Sequence, residues 1–176
     1  MALIVEDGTI VANANSYIDL SFLTSYAAVR GASIQATSEL QEQAALQAMD
    51  YLESIRFQGS KVDVALQTLQ WPRKTVFIDC VAFAENEIPL ALKNAQAQLI
   101  VSLQAGILLW PKPITSTSEG MVTEKTVGPL TKKFAANKSN GEVANSRQRI
   151  VIAQVEAFLN QLLNGCCGNS LVVKRA

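Results

Sequence analysis

The chain has 176 residues, about half of them apolar and only 17% charged, enough apolar material for one packed domain and too much for wholesale disorder. Fifteen basic residues balance fifteen acidic ones, so no overall basic excess advertises a phosphate-binding surface. Histidine is absent, which removes every Ser–His or Cys–His nucleophile pair and every His-containing metal site.

Three cysteines remain, Cys80, Cys166 and Cys167, an odd number with no CxxC spacing. Adjacent cysteines bridge each other only with strain. This speaks against a disulfide framework and for a reducing cytoplasm. The N-terminus has no basic segment followed by an apolar one, so no signal peptide is expected. The apolar runs, such as Ile107 to Trp110, are too short to span a bilayer.

In chain order, the first seventeen residues read as extended. Leu3-Ile4-Val5 and Ile10-Val11-Ala12 are candidate short strands around an Asp7-Gly8-Thr9 turn. Asp19 or Ser21 is placed to cap a helix running through Phe22, Tyr26 and Val29, with Gly31 ending it in a left-handed conformation. A second helix is expected from Ser38 to Arg56, opened by a Ser38–Gln41 capping box. Leu40, Ala44, Ala45, Ala48, Met49, Leu52 and Ile55 form its apolar stripe. Gln43, Gln47, Asp50 and Glu53 lie on the other face.

Residues 58–87 read as a loop region containing Trp71-Pro72-Arg73. Trp71 has two readings: a stacking platform for a nucleobase, or an anchor packing the loop onto the core. The anchor is favoured, because no aromatic–basic alternation surrounds it. A third helix starts at Pro89, with Leu92, Ala95, Leu99, Ile100 and Leu103 on its apolar face and Gly106 as terminator. Trp110-Pro111-Lys112-Pro113 prevents continuation.

Residues 114–143 are rich in Ser, Thr, Lys, Gly and Asn. Met121–Val127 and Leu130–Phe134, separated by Gly128-Pro129, predict an exposed β-hairpin arm. Lys125, Lys132, Lys133 and Lys138 make it the most basic stretch, where any nucleic-acid contact would lie. The competing and favoured reading is a solvated hairpin whose lysines protect its edge from aggregation. A last helix is expected from Asn145 to Asn164, with Val151, Val155, Phe158, Leu159 and Leu162 as its stripe and Gly165 as C-cap. Leu171, Val172, Val173, Lys174 and Arg175 then form a short tail of the kind that is frayed or tied into a partner. The fold class is mainly α: a small bundle of about four helices with a hairpin arm and an extended C-terminal tail. One connector-type domain is expected, with a helical core (1–113 and 144–165), an arm (114–143) and a tail (166–176).

No Gly-rich phosphate loop or paired-carboxylate signature occurs, so the expectation is a non-enzyme without cofactor or metal. Several segments together carry a family resemblance: Met1-Ala-Leu-Ile-Val-Glu-Asp-Gly-Thr, Val11-Ala-Asn-Ala-Asn-Ser-Tyr17, Ala44 to Glu53, Leu69-Gln-Trp-Pro-Arg73, Ile88 to Ala95 and Glu124 to Leu130. They resemble a family of small tailed-phage proteins from virion structural gene clusters, often labelled DnaT-like single-stranded DNA-binding. That family is similar to head-completion or head–tail connector (adaptor) proteins.

The resemblance implies a structural virion protein made in the bacterial host cytoplasm and located in the head–tail neck, with no membrane. Its partners would be the portal, neighbouring copies in a dodecameric ring and the next neck or tail protein. Genomic DNA would pass through without sequence-specific contact. The tail, Leu171 to Arg175, would dock on the portal. Val122, Lys125, Val127, Leu130, Lys132 and Phe134 of the arm would touch neighbouring subunits. The alternatives are a single-stranded DNA-binding replication protein, whose stacking aromatics and basic groove the composition does not favour, and a tail-completion protein.

Overall fold

A computed structural model describes residues 2–110, 124–127, 130–133 and 149–163, the two short central stretches by their backbone only. Four helices lie among the described residues: α1 (Leu20–Arg30), α2 (Ser38–Glu53), α3 (Leu90–Gln104) and α4 (Ala153–Leu163). Three two-stranded antiparallel pairs join them: β1 (Ser60–Lys61) with β2 (Arg73–Lys74), β3 (Phe77–Ile78) with β4 (Val81–Ala82), and β5 (Glu124–Val127) with β6 (Leu130–Lys133). The mainly α class therefore holds. The chain forms two compact units, Met1–Leu109 with Ile150–Ala176, and Trp110–Arg149.

In the first unit α3 is the hub, packing against α1, α2 and α4. Its buried face carries Leu92, Ala95, Ala97, Leu99 and Ile100, so the predicted stripe is correct. Leu103 is only partly buried, while Gln96 and Ser102, which no apolar stripe anticipates, are buried with it. The helix begins after Pro89 and ends before Gly106, whose φ of 82° suits a residue without Cβ.

Helix α1 begins where Asp19 Oδ1 accepts the Phe22 N–H at 2.7 Å, and Gly31, at φ 61°, closes it in the left-handed region. Leu23, Tyr26 and Ala27 face the core, whereas Val29 is exposed. Helix α2 buries Ala44, Ala45, Ala48, Met49, Tyr51 and Leu52, and Leu40 is exposed. The small alanines allow close helix contact. The expected capping box does not form. Thr37 is the N-cap and makes no side-chain cap bond, Ser38 is already helical, and Gln41 Nε2 turns back to the Gln35 carbonyl. A residue inside the first turn cannot use its hydroxyl as the N-cap does.

Three further expectations are corrected. Leu3–Val5 and Ile10–Ala12 do not pair as strands; only a parallel bridge, Val5 to Ser16, forms. The reason is that Glu6, fully buried, accepts the amides of Gly8, Ile10 and Val11 on its carboxylate, which curls the segment instead of extending it. Gly8 is required there, since a Cβ would lie 2.1 Å from the Asn86 carbonyl oxygen. Second, α2 ends at Glu53 and not at Arg56, although Ile55 is still buried. Third, α4 starts at Ala153. Val151 precedes it and is exposed, while Val155, Leu159 and Leu162 are buried as expected.

The second unit contains the β5–β6 hairpin. Its register pairs Glu124 with Lys133, Lys125 with Lys132, Thr126 with Thr131 and Val127 with Leu130. This pairing of β5 with β6 agrees with the hairpin that the sequence predicts.

Candidate functional site

The Gln70-Trp71-Pro72-Arg73 segment is the most organised polar centre of the first unit. Trp71 is fully buried. Its ring meets Phe57 edge-on at 5.9 Å between centroids and Phe83 at 6.2 Å. Both are favourable aromatic geometries. The Trp71–Pro72 peptide bond is cis. Of the two readings of Trp71, the anchor is what the geometry supports, because no face of the indole is open for a base.

Arg73 is equally occupied. Its Nε donates to the Gln58 carbonyl at 2.7 Å, Nη1 to the Gln70 carbonyl and Gln70 Oε1, and Nη2 to the Phe57 and Gly59 carbonyls. A guanidinium has five N–H donors, and five bonds are made. The cation is therefore a clamp on the main chain at residues 57–59, holding the end of α2 to β2.

Around it runs a polar network. Gln70 N–H donates to Glu53 Oε1 at 2.9 Å, and Gln70 Nε2 donates to the carbonyls of Glu53 and Ile55. The Tyr17 hydroxyl donates to Glu53 Oε1 and accepts the Trp71 N–H. Burial pushes the Tyr17 phenol well above 10.0, and the neighbouring Glu53 carboxylate adds to the shift. Burial likewise raises the Glu53 carboxyl above 4.5, against the Gln70 amide, the Tyr17 hydroxyl and the nearby cations of Lys61 and Arg73. From the other side, the Tyr17 N–H donates to Gln96 Oε1, and Gln96 Nε2 donates to Ser16 Oγ. The network thus ties the N-terminal segment, α2, the 70–73 loop and α3 together. It contains no open nucleophile and no exposed cation. Sequence reading missed the buried Glu6 and Gln96 and the half-buried Glu53 and Gln70, because their polarity hid them and only tertiary pairing makes their burial tolerable.

Lys125, Val127, Leu130 and Lys132 lie on β5 and β6, where the register sets Lys125 opposite Lys132. Val122 and Phe134, and all of Leu171, Val172, Val173, Lys174 and Arg175, lie outside the described residues. Cys80, in the β3–β4 turn, is disulfide-bonded. The sequence reading argued against a disulfide framework from the odd count and the adjacency of Cys166 and Cys167, and that adjacency does not bear on Cys80. Cys166 and Cys167 lie outside the described residues. Among those residues no cluster of Cys, Asp and Glu could hold a metal ion, and no helix is long and apolar enough to cross a membrane.

A second feature, absent from the sequence reading, is an open groove of about 290 Å³ between the first half of α2 and the end of α3. Leu40, Ala44, Leu103, Ile107 and Leu108 supply its apolar lining, and glutamine amides supply the remainder with Gly106.

Compared with known proteins, the chain matches over residues 1–176 the model of the family described as "Putative DnaT-like ssDNA binding protein". No curated protein and no solved structure matches it. The chain belongs to this DnaT-like family.

Proposed function

We propose that this member of the DnaT-like family is a structural subunit of a tailed-phage neck, a head–tail connector that works by binding and not by catalysis. One observation carries the reading. Trp71, the aromatic that the sequence offers as a nucleobase platform, and the neighbouring cation Arg73 are consumed inside the fold. A single-strand binder needs open stacking faces beside cations. In this protein those groups stiffen a helical scaffold instead, as a load-transmitting ring subunit requires. The subunit would meet the portal through residues 171–175, sister copies in a ring through the arm, and the next neck protein on its far side. Viral DNA would pass without sequence-specific contact.

The test is composition and imaging of purified particles. The reading expects the protein in the neck, in a ring bound to the portal. Infectious virions that form normally without it would overturn the reading.

A second reading, single-stranded DNA binding, is favoured by the family description and by one structural observation: the register that sets Lys125 opposite Lys132. Like charges in opposed positions disfavour a hairpin unless something anionic lies near. This reading expects salt-dependent oligonucleotide binding that Lys125→Glu and Lys132→Glu each weaken at least tenfold. Unchanged mobility of a labelled oligonucleotide at micromolar protein and low salt would exclude it.

A further inference from the structure

We propose that the pocket between α1, α3 and α4 binds an acidic side chain carried on an apolar segment of a protein partner. The proposal goes beyond the neck reading and does not depend on it. The pocket is open and holds about 500 Å³. Ala32, Val101, Ala157 and Phe158 give it an apolar lining, and Arg30 and Gln154 bring polar groups to it. No acidic residue lines it.

Arg30 is the last residue of α1 and is exposed, yet its guanidinium is held in place. It stacks on the Tyr26 ring, 3.6 Å from the centroid, and Nη1 donates to the Tyr26 carbonyl over a long 3.4 Å. The stack fixes the plane of the fork without spending its N–H groups. Of five donors one is engaged, and the other four have no partner among the described residues. Arg73 is the contrast within the same protein, since there all five are used.

A hydrogen-bond relay sets the second donor. The Tyr26 hydroxyl donates to Gln98 Oε1 at 3.0 Å, and Gln98 Nε2 donates to Gln154 Oε1 at 2.7 Å. The relay crosses α1, α3 and α4 and ends on Gln154 Nε2, whose N–H groups make no bond among the described residues. The unspent polar groups of the pocket are therefore N–H donors beside one positive charge. A carboxylate is their complement: it accepts on two oxygens, matches a planar guanidinium and neutralises it. The apolar lining asks for carbon next to that carboxylate.

Two other ligands fit less well. A groove that tracks a nucleic-acid strand carries several cations beside open ring faces; this pocket has one cation, and the Tyr26 ring under it is only 5% exposed. Sites for small molecules enclose most of their ligand, whereas an open pocket covers one side of it, so the carboxylate belongs to a larger partner.

The test is an NMR titration of the isotope-labelled full chain with the blocked dipeptide acetyl-Leu-Glu-amide, reading the Arg30 Nε–H and the Gln154 side-chain amide. Saturable shifts of both signals are expected at millimolar dipeptide. The neutral analogue acetyl-Leu-Gln-amide should bind at least tenfold more weakly. Hexanoate and thymidine monophosphate should also bind more weakly than the dipeptide. Arg30→Gln should weaken the dipeptide at least tenfold, and Arg30→Lys, which keeps the charge without the fork, at least threefold. Lys74→Gln removes the same charge from a residue outside the pocket and should bind like wild type. Arg30 and Lys74 are exposed, and the spectra report directly that each variant is folded. No shift in wild type, or dipeptide affinity that survives Arg30→Gln, overturns the site. Equal binding of the neutral analogue overturns the carboxylate. Tighter binding of thymidine monophosphate or of hexanoate overturns the protein partner. The titration uses this chain alone, so its failure leaves the neck reading standing, and absence of the protein from the neck leaves the pocket assignment standing.

Discussion

The Tyr17 hydroxyl lies 3.1 Å from Glu53 Oε1 and 3.2 Å from the Trp71 amide nitrogen, so one phenol joins the N-terminal segment, α2 and the 70–73 loop. It donates to the carboxylate and accepts from the amide, and both partners are largely shielded from water. Removing it leaves a buried N–H without its acceptor. Tyr17→Phe should therefore lower the unfolding free energy by about 1–3 kcal/mol, the cost of stranding a buried polar group. Urea unfolding followed by circular dichroism reads it. A loss under a few tenths of a kcal/mol would mean water replaces the phenol freely.

Arg73 makes a second case. Lysine keeps the charge but not the planar fork that reaches five acceptors. Arg73→Lys should destabilise the fold by about 2–3 kcal/mol, in the range for buried hydrogen bonds to a charged group. The same variant should leave any oligonucleotide affinity of the folded protein unchanged, because the guanidinium faces the main chain. A selective loss of oligonucleotide binding with stability preserved would contradict this placement.

Asp19 gives the pH prediction. The Phe22 amide and the Ser21 hydroxyl, both bonded to its carboxylate, hold its carboxyl below 3.8. A depressed folded value means the stabilisation is complete above 3.8 and is lost as pH falls through the folded value. Asp19→Ala should cost about 1 kcal/mol near neutral pH, the usual worth of an N-cap. The difference from wild type should shrink in strong acid. Asp19→Asn should retain most of the cap at neutral pH and lose that acid dependence.

Trp71 and Trp110 separate by fluorescence. Trp71 is fully buried and Trp110 is 40% exposed. In Trp110→Phe the remaining indole should emit at short wavelength and resist iodide quenching. Added single-stranded oligonucleotide should leave that emission unchanged. Quenching by the oligonucleotide would place Trp71 against bases and undo its assignment as an anchor.

The helices were legible because their information is local. Leu92, Ala95, Leu99 and Ile100 recur at helical spacing, and Asp19, Pro89, Gly31 and Gly106 mark ends by backbone chemistry that needs no partner. The β5–β6 pairing was legible for the same reason. Where two local signals competed, as at Thr37 and Ser38, the one-residue difference between a cap and a first turn was beyond periodicity.

Composition and spacing by themselves determined the class of the molecule: a mainly helical chain without histidine chemistry, with its helical segments largely in place. Only the tertiary structure decided the fate of the polar residues. Nothing in the sequence marks Glu6, Gln96 and Arg73 as buried; main-chain amides, carbonyls and other buried side chains from elsewhere in the chain make them so. The groove between α2 and α3 also needed three dimensions. Burial of a polar atom depends on a partner that sequence distance does not reveal, whereas burial along a helix face depends on a period that it does.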